Sequence, residues 1–183
     1  MKPLRVTRED AILVLIDFQE RLMPAMKGAD DLEEVAVKLV KGCRILGVPV
    51  LVTQQYTRGL GATIPSIHDA LGEYEPIEKT AFSAMGEPAF VEKLKESGRK
   101  TVILAGIEAH VCVLQTALDL MAEGYTVFLV NDGVASRKNS DRKYAQRRIA
   151  ESGAVGTTYE SVLFEILRGA KEEGFKDISN LVK

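Results

Sequence analysis

The sequence is poor in the residues that build crosslinks and metal centres. Its 183 residues contain two cysteines, Cys43 and Cys112, and two histidines, His68 and His110. Two thiols do not make a disulfide framework in a domain of this size. Two separated histidines without clustered cysteines do not match the ligand sets of zinc sites. We therefore predict no disulfide, no metal site and no cofactor.

Long apolar segments and a strong net charge are also missing. The apolar runs fall well short of the roughly 20 residues that span a membrane, and no apolar signal core precedes the first charged cluster. The formal net charge of -2 argues against a phosphate-backbone binder. A basic cluster between Arg137 and Arg148 is interpreted as a solvated helix face. We predict a cytoplasmic protein that binds neither membranes nor nucleic acid.

Short apolar segments recur along the chain and predict buried strands. A composition of 46% hydrophobic and 27% charged residues is sufficient for a core in a domain of this length. Segments that are short, β-branched and apolar on both faces are typical of strands buried on both sides. We predict strands at residues 11–16, 48–53, 101–105, 125–130 and 154–158, with a short extra strand at 76–79.

Stretches of helical periodicity lie between these strands. They predict helices over residues 30–46, 87–97, 109–123, 140–152 and 159–170, four of which are followed by a glycine suited to a left-handed cap. Strands that alternate with helices imply right-handed crossovers and a parallel sheet covered on both faces. We predict a single three-layer α/β/α domain over residues 1–183, with the irregular segment 54–74 folding over the site as a loop.

Two common nucleotide-binding signals are absent. After the first predicted strand the chain reads Asp17-Phe18-Gln19-Glu20-Arg21-Leu22, which is not a glycine-rich fingerprint. The pair Gly59 and Gly61 lies in the loop and no predicted helix follows it. No Walker loop occurs either, so the sequence gives no support for a nucleotide cofactor.

Three reactive residues fall at the carboxyl ends of predicted strands, where parallel α/β sheets bind ligands. Asp17 ends the first strand, Lys79 ends the short strand, and Cys112 lies in the first turn of the helix that follows strand 101–105. A helix N-terminus and a nearby ammonium both lower the cost of a thiolate. We therefore predict Cys112 as a nucleophile of lowered pKa, with Asp17 and Lys79 as its partners.

Each of these residues also has a purely structural interpretation. A cysteine near a helix start is commonly a small buried residue. Asp17 could cap the turn that follows its strand, and Lys79 could be an exposed lysine. Cys43 sits within a helical pattern between Lys41 and Arg44, and we predict a structural role for it. The case for a site depends on the three residues meeting at one edge of the sheet.

Three sequence blocks carry a family resemblance, listed here in chain order: Ile16-Asp17-Phe18-Gln19, Glu78-Lys79-Thr80-Ala81-Phe82-Ser83 and Ala105-Gly106-Ile107-Glu108-Ala109-His110-Val111-Cys112-Val113. They resemble the signature blocks of isochorismatase-like cysteine hydrolases. The loop 54–61 and the stretch 106–120 are similar to the isochorismatase-domain-containing branch, so nearly the whole chain is covered.

The resemblance implies a fold and a chemistry. The fold is a Rossmann-like sandwich with a six-stranded, mostly parallel sheet, and the protein is expected to form a homo-oligomer. The family chemistry uses Asp17, Lys79 and Cys112 to cleave a C–N bond of a small molecule through a thioester. A cis peptide before Glu108 is implied, with the backbone N–H groups of Glu108 and Cys112 forming an oxyanion hole.

One departure from the family pattern concerns metal binding. Nicotinamidases of this family hold a metal through an Asp and a His after the second strand. The corresponding positions here resemble Gln55 and Thr57, which are poor ligands for a divalent metal. A metal-assisted nicotinamidase is therefore disfavoured.

Further residues are expected around the substrate: Phe18, Gln19, Gln54, Tyr56, Phe82 and His110. Gln19 could instead position Asp17, and the aromatic residues could instead be core. Three alternatives to C–N hydrolysis stay open. They are isochorismatase-type vinyl-ether hydrolysis, a non-catalytic interaction module, and a redox-sensing thiol for which Cys43 could act as the resolving cysteine.

Overall fold

The computed structural model describes residues 4–183 and contains one six-stranded, all-parallel sheet with strand order β3-β2-β1-β4-β5-β6. The predicted parallel sheet and α/β/α class are confirmed. The N-terminal segment, for which no signal sequence is predicted, begins with residues 1–3, and these lie outside the described residues. The strands are β1 (Ala11–Ile16), β2 (Val50–Gln55), β3 (Ile77–Lys79), β4 (Thr101–Ile107), β5 (Thr126–Ala135) and β6 (Val155–Thr157).

Eight α-helices accompany these strands within residues 4–183. None of them is both long and apolar enough to cross a membrane. The four glycines that follow predicted helices have φ between 67° and 115°, as a left-handed cap requires. The helices are α1 (Ala29–Ile45), α2 (Thr57–Leu60), α3 (Pro65–Leu71), α4 (Pro88–Glu96), α5 (Leu114–Ala122), α6 (Asn139–Glu151), α7 (Tyr159–Leu167) and α8 (Phe175–Leu181).

The sheet separates two apolar cores. Successive side chains of a strand point to opposite faces, so Leu13 and Leu15 of β1 join one core while Ile12, Val14 and Ile16 join the other. The first core is closed by α1, α3, α7 and α8, and the second by α4, α5 and α6. All six residues of β1 are buried, which explains why it reads as a continuous apolar run rather than an alternating one.

Several sequence-based boundaries are wrong. The segment 54–74 is not an irregular loop, because it contains α2 and α3, and Pro65 begins α3 where its missing N–H costs nothing. Strand β2 begins at Val50 rather than at residue 48. Strand β5 continues past residue 130 to Ala135, with a register irregularity against β4 at Leu104 and Gly106. Helix α8 has no counterpart among the predicted helices.

The strand order reverses between β1 and β4, and this opens a crevice at their carboxyl ends. The two strands approach closely there. Gly106 has φ 148°, and a Cβ on it would overlap the backbone carbonyl oxygen of Ile16. Only glycine fits this contact, which brings the last residues of both strands together.

Candidate active site

Asp17 directly follows β1 and is fully buried. Its φ of 55° is in the left-handed region, which aspartate tolerates better than most residues, and the turn directs the chain away from the sheet. Its Oδ1 accepts a 2.7 Å hydrogen bond from the hydroxyl of Thr53 on β2. A buried carboxylate needs such donors, because leaving water is otherwise costly.

Lys79 ends β3 and is 1% exposed. Its Nζ lies 2.8 Å from Oδ2 of Asp17, so the two charges form a fully buried ion pair. Three other oxygens surround the same nitrogen: Oε1 of Gln55 at 2.6 Å, the carbonyl of Ala81 at 3.2 Å and the carbonyl of Phe82 at 3.0 Å. An ammonium has three N–H donors, which these three acceptors and Oδ2 share.

Oδ2 of Asp17 is consequently close to a positive charge without an aligned hydrogen-bond donor among residues 4–183. The ammonium has three protons for four nearby oxygens, so Oδ2 receives only a shared hydrogen bond from it. This oxygen therefore keeps a lone pair available for a proton.

The loop after β3 is fixed to neighbouring elements. Oε1 of Glu87 accepts from the backbone N–H groups of Thr80 at 2.7 Å and Ala81 at 3.1 Å, and these bonds lower the pKa of Glu87. The N–H of Ala84 donates to the hydroxyl of Thr116 on α5 at 2.9 Å. Thr116 lies four residues after Cys112, on the same helix face, so the loop is held beside the cysteine.

Cys112 lies in a five-residue π-helical turn, Ala109–Val113, that runs directly into α5. Such turns are frequent at functional sites. The peptide between Ile107 and Glu108 is cis, as the resemblance implied. The cysteine is 7% exposed, and both Asp17 and Lys79 act on its thiol.

The prediction of a lowered pKa for Cys112 is wrong. Burial, and to a smaller extent the negative charge of Asp17, raise the pKa of its thiol to about 12, while Lys79 opposes both effects. The sequence argument counted the ammonium and the helix terminus and left out desolvation and the carboxylate. At neutral pH the cysteine is therefore a thiol, and it must lose its proton as it reacts.

Cys43 lies on the other face of the sheet. It is fully buried in the core formed by α1, whereas Cys112 belongs to the core formed by α5. Packed layers lie about 10 Å apart, and a disulfide needs Cα atoms within about 7 Å. The interpretation of Cys43 as a resolving cysteine is therefore wrong.

Three of the residues expected to contact substrate have side chains that are buried and already bonded to or packed against other protein groups. Gln19 is fully buried; its amide group donates to the carbonyls of Gln55 and Gly61 and accepts from the N–H of Gln55. The amide of Gln54 donates to the hydroxyl of Thr57 and accepts from the backbone N–H and the hydroxyl of Thr63. Phe18 is 1% exposed within the core on the α1 face. These positions favour support of the site over contact with substrate.

The other expected substrate residues are accessible. Tyr56 is 52% exposed and Phe82 is 54% exposed, and both follow strands that end at the site. His110 is partly exposed, with Nδ1 2.9 Å from the hydroxyl of Ser136 and Nε2 4.0 Å from Asp141. The Glu108 carboxylate is paired with Arg137 at 3.1 Å, which leaves only its backbone for a role toward substrate.

The residues at the family's metal positions are engaged with protein groups. Oε1 of Gln55 accepts from Lys79, its Nε2 donates to the carbonyl of Thr80, and the hydroxyl of Thr57 accepts from Gln54. In residues 4–183, no group of three or more His, Cys, Asp or Glu side chains could hold a metal ion. A surface groove of about 680 Å³ runs between α1 and α8 and contains none of the three reactive residues.

Sequence reasoning missed the roles of Thr53, Gln55, Glu87 and Thr116, of which it had named only Gln55, as a poor metal ligand. A signal existed for the first two, since they alternate at the carboxyl end of β2 and therefore share a face. Glu87 and Thr116 act through backbone contacts that only the folded chain reveals.

The fold and this arrangement define an α/β/α protein with a buried Asp–Lys pair beside a cysteine. The family model for the isochorismatase domain matches residues 11–161, and the chain belongs to this family. It is 41% identical to isochorismatase domain-containing protein 1 of Salmo salar over 91% of this chain, but spans only 59% of that relative's length. It is 39% identical to isochorismatase domain-containing protein 2A of Mus musculus, covering 98% of this chain and 85% of the relative.

Solved structures agree with this assignment. The MAR1 ribonuclease of Caenorhabditis elegans superposes with a TM-score of 0.92 at 37% identity, covering 98% of this chain and 92% of that one. The YcaC gene product of Escherichia coli, described as an octameric hydrolase of unknown specificity, superposes with a TM-score of 0.89 at 25% identity, covering 100% and 97%.

Proposed function

We propose that this protein is a cysteine-dependent hydrolase that cleaves an amide-type C–N bond of a small molecule through a thioester on Cys112. The observation that carries the proposal is the free lone pair on Oδ2 of Asp17, held next to a protonated thiol and a buried ammonium. A thiol of raised pKa needs an adjacent base in order to attack, and this oxygen supplies one.

In the first half of the reaction, the sulfur of Cys112 forms a bond to the carbonyl carbon while its proton passes to Oδ2 of Asp17. The backbone N–H groups of Glu108 and Cys112 stabilise the oxyanion. The C–N bond then breaks, and the proton moves from Asp17 to the leaving nitrogen. Lys79 stays protonated and stabilises the transferred charge.

In the second half, water attacks the thioester and gives a proton to Asp17. The C–S bond breaks, a carboxylic acid forms, and Asp17 returns the proton to the sulfur. Asp17 thus acts as base and acid in turn.

Burial of the reactive groups supports a small substrate. Asp17, Lys79 and Cys112 are 0%, 1% and 7% exposed, so little of the reactive groups is accessible from the surface. Tyr56 and Phe82 are exposed and offer apolar surface for a substrate. The C. elegans relative is called a ribonuclease, but a bulky sugar-phosphate chain does not suit reactive groups that are so deeply buried. RNA therefore belongs among the substrates tested and is expected to be inert.

Vinyl-ether hydrolysis of the isochorismatase type is the second candidate. The raised pKa of Cys112 favours it, because this reaction needs an acid and a water rather than a thiolate. Asp17 would then carry the chemistry, and Cys112 would only line the site. The two candidates differ in what happens when the thiol is removed.

We also propose that the chain forms a homo-oligomer in the cytoplasm. Support for assembly comes from the octameric E. coli relative. Light scattering on the purified protein gives its mass directly, and a monomer at micromolar concentration contradicts the assembly.

The function is tested by screening the purified protein against small primary amides, N-carbamoyl compounds, vinyl ethers and a short RNA. Ammonia and acid release are measured for wild type and Cys112→Ala. The proposal expects amide cleavage that disappears in the variant. Vinyl-ether cleavage that survives in the variant supports the second candidate. If no compound is cleaved at all, the interaction-module interpretation gains instead.

A further inference from the structure

We propose that β2 carries two positioning residues for the buried ion pair, Thr53 and Gln55. They determine which oxygen of Asp17 is free to take the thiol proton. This inference rests on the proposed function, since it assigns roles around the same proton transfer.

The sheet places β2 between the two charged residues. Strand β2 pairs with β1 on one side and β3 on the other, with Thr53 in register with Ile16 and Gln55 in register with Lys79. Residues two apart on a strand share a face. One strand therefore presents a hydroxyl to Asp17 and an amide oxygen to Lys79.

Thr53 makes the two oxygens of the carboxylate unequal. Its hydroxyl donates to Oδ1 at 2.7 Å, while Oδ2 has no aligned donor among residues 4–183. Hydrogen bonds to a charged group are the strong ones. The bond therefore stabilises the charged form and leaves Oδ2 as the acceptor.

Gln55 competes with that acceptor for the protons of the ammonium. Its oxygen lies 2.6 Å from Nζ, and the carbonyls of Ala81 and Phe82 accept from the same nitrogen. Its amide orientation is fixed, because Nε2 donates to the carbonyl of Thr80 at 2.9 Å. Nζ of Lys79 lies 2.8 Å from Oδ2 and divides its three protons among four oxygens, which weakens its hold on that acceptor.

The rate at which iodoacetamide alkylates Cys112 measures this proton transfer without a substrate. The S–C bond forms, iodide leaves, and the thiol proton passes to Oδ2. The rate therefore falls at low pH, where the carboxylate is protonated. The alkylation rate of Cys43 in the same sample gives the comparison value for a buried thiol whose pKa is shifted by burial alone.

The two variants are expected to move the acidic limb of the rate profile in opposite directions. In Thr53→Val the carboxylate loses a donor that stabilises its charged form, so the limb moves to higher pH. In Gln55→Met the ammonium has one competing acceptor fewer and bonds Oδ2 more strongly, so the limb moves to lower pH. The rate at neutral pH falls in this second variant, because the acceptor is more fully occupied.

Matched controls exist at sites far from the cysteine. Thr101 is another buried strand threonine whose hydroxyl donates to a carboxylate, that of Asp10, at 2.6 Å. Gln146 donates its amide to the carbonyl of Asn131 at 2.7 Å. Thr101→Val and Gln146→Met should leave the profile unchanged. Thr53→Ser keeps the hydroxyl and should resemble wild type, which separates the hydrogen bond from packing.

The experiment measures alkylation of each peptide by mass spectrometry across a pH series. Opposite shifts in the two β2 variants, with unchanged controls, support the inference. Wild-type profiles in both variants overturn it, as does a Thr53→Ser profile that matches Thr53→Val. If Cys112 of wild type reacts no faster than Cys43, the proposed function itself fails.

Discussion

The two cysteines occupy opposite sides of one sheet and differ in what surrounds them. Burial raises the pKa of Cys43 to about 12, and no other group contributes. The pKa of Cys112 is also raised to about 12, but there the charges of Asp17 and Lys79 act as well, in opposite directions. Burial is the main cause of the raised pKa at both cysteines, and only at Cys112 do neighbouring charges contribute.

This difference separates a thiol that is only buried from one that can react. Cys43 lies in an apolar core, and burial alone accounts for the shift of its pKa. The thiol of Cys112 is influenced by the carboxylate of Asp17 and by the counter-charge of Lys79, which lies 2.8 Å from that carboxylate. The position of a proton acceptor, rather than the resting pKa, distinguishes the two.

The largest expected effect comes from removing each thiol in turn. Cys112→Ala should lower turnover of the best amide from the screen by roughly a thousandfold or more, because the nucleophile is lost. Cys43→Ala should keep turnover close to wild type, since this cysteine contacts only the core on the far face. Initial rates at saturating substrate measure both. Equal losses in the two variants would contradict the contrast drawn here.

Asp17→Asn should separate the resting pKa from reactivity. The charge of Asp17 raises the pKa of Cys112, so its removal should lower that pKa. Turnover should nevertheless fall by roughly 100-fold or more, because the general base is gone. Ultraviolet titration of the thiolate in a Cys43→Ala background gives the pKa.

Lys79→Met should shift the pKa of Cys112 in the opposite direction, which the same ultraviolet titration measures. Since Lys79 lowers the pKa of Cys112, its loss should raise that pKa. A fall in both variants would mean that charge does not govern the thiol.

A smaller effect is expected on stability at alkaline pH. The pKa of Cys43 rises from 9.0 to about 12 on folding, so the folded state holds its proton more tightly. Its contribution to the free energy of unfolding is fully present below about pH 9 and is lost as the pH rises toward 12. The slope for this one group reaches about 1.4 kcal/mol per pH unit.

Urea denaturation of wild type and Cys43→Ala at pH 8 and pH 10.5 measures this contribution. The difference in stability between the two proteins should shrink at the higher pH. A constant difference would show that the thiol is already deprotonated or exposed.

The fold was predictable because its signals are local. Short apolar runs followed by glycine-capped helices define the strands and crossovers, and β1 and β4 were located almost to the residue. The extension of β5 to Ala135 was not, because Asn131, Asp132 and Gly133 interrupt the apolar pattern and are held by long-range contacts such as the bond from Gln146. The two helices in 54–74 are short, and a weak periodic signal is expected from four and seven residues.

The candidate site was predictable in its residues but not in its electrostatics. Asp17, Lys79 and Cys112 lie where the strand ends place them. The direction of the pKa shift at Cys112 depends on how deeply the thiol is buried and on which carboxylate faces it, and neither is written in the local sequence. Burial also separates the three aromatic residues that were predicted to lie around the substrate. Phe18 is in the core, whereas Tyr56 and Phe82 are exposed.

The most direct test of the account is acid quenching of the protein during turnover of its best amide, followed by mass spectrometry of the Cys112 and Cys43 peptides. An acyl adduct is expected on Cys112 alone; it should accumulate when the second half-reaction is slowed at low pH and be absent in Cys112→Ala. Turnover without any adduct, together with activity that survives in Cys112→Ala, would contradict the thioester and assign the chemistry to Asp17.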